Sequence, residues 1–185
     1  MGRPKAWLPF GAEWMLQRVV RILSEVAKPI AIVAAPDQKL PPLPAQVMIV
    51  RDPVEGRGPL QGLAAGLEAL QGTAVAAYAS SCDVPFLRPA FVRRMAELRG
   101  EHAICVPRVG DFHHPLAAVY RLDVLPLAQR LLSENRPRPF FLFDPLHTRV
   151  VSAAELLDAD PGLQSLRNLN TPTDYEEAVR ELPTA

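Results

Sequence analysis

Residues 73–85 read TAVAAYASSCDVP: a nearly uncharged run from Thr73 to Ala79, then Ser80-Ser81-Cys82, then a single carboxylate, Asp83, two residues before Pro85. An uncharged run of this length fits a parallel strand covered on both faces, which puts Asp83 where the chain leaves the carboxyl edge of a sheet. Ligands of open α/β sheets bind outside those carboxyl ends. A lone acid there suits Mg²⁺, held through one carboxylate while phosphates and water supply the other oxygens. Asp before Val-Pro is equally a turn former leading to the helix near Pro89, so the residues alone leave both readings open.

The pattern continues on either side of this stretch. Upstream, Met15, Val19, Ile22, Leu23 and Val26 recur three and four apart, which predicts an amphipathic helix over 13–26. Strands are expected over 30–35 and 47–50, the second ending at Arg51-Asp52. The stretch Gly56-Arg57-Gly58-Pro59-Leu60-Gln61-Gly62 opens a helix whose first amides are free to face an anion. Downstream come a helix over 89–98 and a strand over 103–107. The run 115–120 follows a loop too short for a helical crossover, which predicts an antiparallel neighbour. A helix over 124–133, an apolar segment 140–143, a strand over 148–151 and a helix over 173–182 complete the order. This alternation predicts an α/β fold: a three-layer α/β/α sandwich on a mixed, mostly parallel sheet, with residues 1–185 forming a single domain.

Composition excludes several classes. With 49% hydrophobic and 22% charged residues among 185, the chain can bury a substantial core. A formal charge of zero argues against nucleic acid as a partner. No run reaches the ~18 apolar residues of a membrane span, and no secretory leader is evident. Cys82 and Cys105 sit in or beside apolar runs, as reduced thiols of a cytoplasmic protein do.

Five ordered pieces, Met1-Gly2-Arg3-Pro4-Lys5, Gly58-Pro59-Leu60-Gln61-Gly62, Cys82-Asp83-Val84-Pro85, His114-Pro115 and Asn168-Leu169-Asn170-Thr171-Pro172, resemble the molybdenum cofactor guanylyltransferase family, essentially end to end. The resemblance implies a Rossmann-like nucleotidyltransferase that moves GMP from GTP to molybdenum-bound molybdopterin with Mg²⁺ and releases pyrophosphate. By the same resemblance, Lys5 contacts the GTP phosphates, Asp83 binds the metal and Asp52 contacts the nucleotide. Gly58, Pro59, Leu60 and Gly62 border the guanine, and Asn170, with Asn168 as second choice, is the amide near the metal. His114, Asn168 and Arg108 are the candidates for the pterin side, and molybdoenzyme maturation proteins are implied partners. Rival readings are a cytidylyl or sugar-phosphate nucleotidyltransferase of the same fold, or a non-catalytic module that binds a partner or the finished cofactor.

The family pattern opens with an apolar strand and a glycine loop directly before the pair that is Met1-Gly2 here. The resemblance therefore implies two unpaired strand edges in this chain, and a natural start about 15–20 residues upstream. After the 30–35 strand, Ala34-Ala35-Pro36 replaces a polar position, leaving only backbone for a nucleotide contact there. Other groups carry weaker signals. Adjacent His113 and His114 are expected on opposite faces. Arg136 and Arg138 beside Phe140, Phe141 and Phe143 suit either an anion grip or core plus solvated arginines. Arg51 and Arg57 lie near the expected carboxyl edge as unspecific phosphate partners. Asp83→Ala is expected to abolish transfer with little loss of fold.

Overall fold

The computed structural model describes residues 4–52, 54 and 56–182. A 3-10 turn, Lys5–Trp7, leads into a small antiparallel hairpin, β1 (Pro9–Phe10) and β2 (Glu13–Trp14), and then helix α1 (Met15–Ser24). The hairpin is absent from the sequence reading because two-residue strands carry no periodicity; Gly11, at φ 65°, makes its turn. Strands β3 (Ala31–Ala34) and β4 (Met48–Arg51) pair in parallel, followed by α2 (Pro59–Ala69), β5 (Ala76–Ser80) and α3 (Pro89–Arg99). The chain continues through β6 (Ile104–Val109), β7 (Phe112–His113), β8 (Ala117–Arg121), α4 (Leu125–Ser133), β9 (Thr148–Ser152) and α5 (Pro172–Arg180).

The larger sheet has the order β5-β8-β6-β7, with β9 also on β6. Strand β8 runs antiparallel to both β5 and β6, and β9 runs parallel to β6. So β5, β6 and β9 share one direction and β8 opposes them, as the short loop before 115 predicts.

Helix α2 packs Leu60, Leu63 and Leu67 over one face of the sheet with Ile104, Ala118 and Tyr120. On the other face α1 and α3 supply Val19, Ile22, Phe91 and Met95 against Cys105, Val119 and Val151. A third cluster joins Phe10 and Met15 to Leu169 and Ala178 of the C-terminal segment. These are the three layers, and the third cluster draws the chain's two ends together.

Among the described residues the β3–β4 pair and the larger sheet are not hydrogen-bonded to each other, so β3 and β5 each keep one unpaired edge. This departs from the sequence expectation for 73–79, which calls for a strand covered throughout; every residue of β5 is only half-buried. Among the described residues no helix is long and apolar enough to cross a membrane.

Candidate active site

Strand β5 ends at Ser80, and the Ser81 amide still pairs with the Leu116 carbonyl at 3.3 Å before the chain turns. The turn is pinned from below by α1, whose Arg18 Nε donates to the Pro85 carbonyl at 2.7 Å. Asp83 is thereby carried to the carboxyl edge and is 5% exposed.

Lys5 reaches the same point from the 3-10 turn. That turn is fixed by buried Ala6 and by the Trp7 indole N–H, which donates to the Lys39 carbonyl at 2.8 Å. The third contributor is the segment before α5. Thr171 Oγ accepts from the Asp174 amide at 3.1 Å, and Asp174 Oδ2 accepts from the amides of Asn170 and Thr171 at 3.0 and 2.8 Å. With Pro172 in the first turn, this is a capping box. The cap thus fixes the backbone that carries Asn170.

Three side chains converge on the Asp83 carboxylate, and a fourth, Asn170, on the ammonium of one of them. Lys5 Nζ donates to Oδ2 at 2.5 Å and also to Asn170 Oδ1 at 2.8 Å. Asn168 Nδ2 donates to Oδ1 at 2.7 Å, and the Ser81 hydroxyl donates to the same oxygen. Burial pushes the carboxyl pKa up, but hydrogen bonds from Lys5, Ser81 and Asn168 and the Lys5 charge outweigh it, holding Asp83 below the usual carboxylate range. Asn168, the second choice from sequence, therefore touches Asp83 directly, whereas Asn170 reaches it through the ammonium.

The two oxygens that meet at Lys5 Nζ, a carboxylate and an amide carbonyl, already bracket a cation. A hard, all-oxygen donor pair of this kind suits Mg²⁺, which keeps several waters and takes one or two protein oxygens. The residues present fit the ion.

A supporting layer holds the segment in place. Asp160, fully buried, accepts from the Ser165 amide at 2.7 Å through Oδ2, while its Oδ1 lies 3.3 Å from Arg88 Nε. Ser165 Oγ in turn accepts from the Arg88 amide at 3.0 Å. Ser81, Asp160 and Ser165 are not among the sequence candidates; one Ser or Asp in a loop carries no spacing signal.

A cleft of about 230 Å³ adjoins this cluster, lined by Val84, His113, His114, Ser165, Leu166 and Asn168 among others. Both histidines border it, and the His113 ring also lies 5.4 Å from that of Phe143 and 6.1 Å from that of Phe140. Burial lowers the pKa of each, helped by Arg108 for His113 and by His113 for His114. Arg108 itself, opposite His113 in the β6–β7 register, does not line the cleft. A second hollow of about 640 Å³, bordered by Trp7, Trp14 and Lys39, shares no residue with the Asp83 cluster.

Other sequence candidates sit differently. Asp52 follows β4, where its Oδ1 accepts from the Val54 amide at 3.0 Å, a turn contact outside the cluster. The expected free amides of α2 are engaged: Pro59 has none, Leu60 N–H goes to Pro137 O at 3.2 Å and Gln61 N–H to Gly58 O at 3.2 Å. The Leu60 side chain is fully buried in the core and cannot border a ligand. Gly58, at φ 86°, lies where an added Cβ would stand 3.2 Å from Pro137 O, and Gly62 packs toward Val33.

The arginines are also committed. Arg51 clamps the Ala35 and Gln38 carbonyls, and Arg57 donates to Leu132 O. Arg136 stacks on Phe141 at 4.2 Å while Phe143 joins the core, and Arg138 is exposed. Met1, Gly2 and Arg3 of the opening motif lie outside the described residues. Asp83→Ala would leave Lys5 and Asn168 without their buried partner, so the expectation of little loss of fold is corrected.

The family model and the curated relatives point to one group. The family model described as MobA-like NTP transferase domain matches residues 1–165. A probable molybdenum cofactor guanylyltransferase of Mycobacterium avium (strain 104) is 34% identical over 180 residues, spanning 94% of this chain and 86% of that protein. Another protein of that name, from Carboxydothermus hydrogenoformans, is 26% identical over 184 residues, spanning 97% of this chain and 89% of its own. Among solved structures, molybdopterin-guanine dinucleotide biosynthesis protein A from Archaeoglobus fulgidus aligns with a TM-score of 0.77 at 19% identity, over 97% of this chain and 90% of that one. The 2-C-methyl-D-erythritol 4-phosphate cytidylyltransferase of Thermus thermophilus gives 0.70 at 16% identity, over 96% and 92%. At such identities the two structures speak to the fold alone.

Proposed function

Because this chain belongs to the MobA-like NTP transferase family, and is thereby a nucleotidyltransferase, we propose that it transfers GMP from GTP to the phosphate of molybdenum-bound molybdopterin. The observation that carries the reading is the convergence of Lys5, Asn168 and Asn170 on Asp83 at the carboxyl edge of β5.

In the proposed reaction a phosphate oxygen of molybdopterin attacks the α-phosphorus of GTP. A new P–O bond forms, the bond to the β-phosphate bridge breaks, and pyrophosphate departs with the electron pair. The attacking phosphate is already ionised, so no protein base is required, and catalysis rests on positioning and charge. Lys5 sets a point charge against the phosphate oxygens as negative charge grows on them, an effect of about 3–4 kcal/mol for a well-placed donor. Asp83 and Asn170 hold Mg²⁺, which when bound supplies further positive charge to those oxygens. Asn168 and Ser81 keep the Asp83 carboxylate ionised and aimed.

The acceptor phosphate enters by the cleft that Asn168 shares with His113 and His114, whose neutral rings offer N–H donors. Asp52 and the Gly58 to Gly62 segment are the proposed nucleotide side, with contact limited to the Gly58, Pro59 and Gly62 surface. Cytoplasmic operation, with delivery of the product to molybdoenzyme maturation proteins, fits the two unpaired cysteines.

Pyrophosphate release, measured with molybdopterin acceptor and either GTP or CTP in Mg²⁺ buffer, tests the reading. Release with GTP well above CTP is expected. Preference for CTP, or no release with either, would overturn it.

A further inference from the structure

Both oxygens of the Asp83 carboxylate are engaged: Oδ1 by Ser81 and Asn168, and Oδ2 by Lys5. The Lys5 ammonium, 2.5 Å from Asp83 Oδ2 and 2.8 Å from Asn170 Oδ1, fills the space between the two oxygens assigned above to the metal. A Mg²⁺ ion needs its oxygens at about 2.0–2.1 Å. A divalent cation at that distance from Oδ2 would be crowded and repelled by the ammonium 2.5 Å from the same atom.

We propose that Lys5 is an internal counter-ion that keeps divalent metal off Asp83 until a triphosphate draws the ammonium away, so that metal and nucleotide bind as a coupled pair. This rests on the reading of Asp83 and Lys5 given under the proposed function. The physical basis is exchange of partners. Asp83, 6% exposed at its side chain, cannot stay charged and buried without a cation. Lys5, a third exposed on a flexible stem, can move to a neighbouring anion. Phosphate oxygens give the ammonium a replacement partner, and the vacated carboxylate then binds the divalent ion. By linkage, nucleotide tightens metal binding by the factor by which metal tightens nucleotide binding, and such factors commonly run from about 5-fold to about 150-fold.

The test reads Mn²⁺ affinity, as free Mn²⁺ by electron paramagnetic resonance, for the full chain alone, with α,β-methylene-GTP, and with inorganic tripolyphosphate, after correction for metal held by the phosphates themselves. Lys5→Met and Asp83→Asn are measured beside the parent. Expected is weak Mn²⁺ binding to the parent alone, tightened about tenfold or more by either triphosphate. Lys5→Met should bind Mn²⁺ tightly without any phosphate and show no further gain, and Asp83→Asn should bind weakly throughout. Parent affinity for Mn²⁺ that is Asp83-dependent but unchanged by both triphosphates overturns the counter-ion role and leaves the metal assignment standing. That result is available even if Lys5→Met does not fold. Asp83-independent binding in every sample overturns both.

Discussion

The Leu169 amide donates to the Asp83 carbonyl at 3.0 Å, tying the Asn-Leu-Asn segment to the exit of β5 by backbone alone. Leu169 is fully buried with Phe10, Met15 and Ala178, while Asn168 and Asn170 on either side of it both reach the Asp83–Lys5 pair. One apolar residue between two amides thus serves as the anchor that aims them. Leu169→Ala leaves a cavity at this anchor and should cost about 2–5 kcal/mol, read as a lower urea midpoint. Transferase turnover should fall with it under conditions where the variant remains folded.

Asn168→Asp sets a second carboxylate against Asp83, where an amide now donates at 2.7 Å. Two carboxylates sharing a site cannot both ionise freely, and one of them protonates at raised pH. At neutral pH this variant should be less stable than the parent by about 1–3 kcal/mol. The gap should narrow as pH falls from roughly 7 toward about 5, where the pair takes up a proton. In the parent the sign is opposite: the depressed Asp83 pKa stabilises the fold above the ordinary carboxylate range, and that contribution is lost as pH drops below it. Denaturant midpoints across pH for both proteins check the crossing trend.

His113 and His114 are held with lowered pKa, mainly by burial. The unfolded chain takes up their protons near the ordinary value of 6.5, and the folded chain only below it. Stability from these rings is therefore full above that pH and is lost as pH falls through it. Melting midpoints should decline on acidification from about 7.5 to about 5.5, and His114→Gln should flatten the slope.

Ser165→Ala removes the hydroxyl that accepts from the Arg88 amide at the start of α3. Ser165 is 1% exposed, so losing its hydroxyl leaves a small void beside the Arg88 amide and removes that amide's acceptor. The expected cost is about 1–3 kcal/mol, measured by chemical denaturation, with a smaller effect for Ser165→Thr, which keeps the hydroxyl.

Much of this was legible in the residues. Lys5, Asp83 and Asn170 stand in ordered motifs, and the structure sets Lys5 within hydrogen-bonding reach of both others. The reversed strand β8 follows from a loop too short to cross over. What escaped has physical causes. Ser81 and Ser165 act through single hydrogen bonds set by tertiary approach, which no local pattern encodes. Leu60 lies in a motif associated with guanine, yet its side chain serves the core, because a helix turns one face of any loop-proximal motif inward. The apolar run 73–79 signals a buried strand, but burial also depends on neighbours, and β5 pairs along one edge only among the described residues.

The most direct test of the central claim, that the Asp83 cluster is the metal–nucleotide site, is a crystal structure of this protein with GTP and Mg²⁺. The account predicts Asp83 Oδ2 within about 2.1 Å of the metal, with Lys5 turned from Asp83 onto a phosphate oxygen. An intact Lys5–Asp83 pair with the nucleotide bound elsewhere would contradict it.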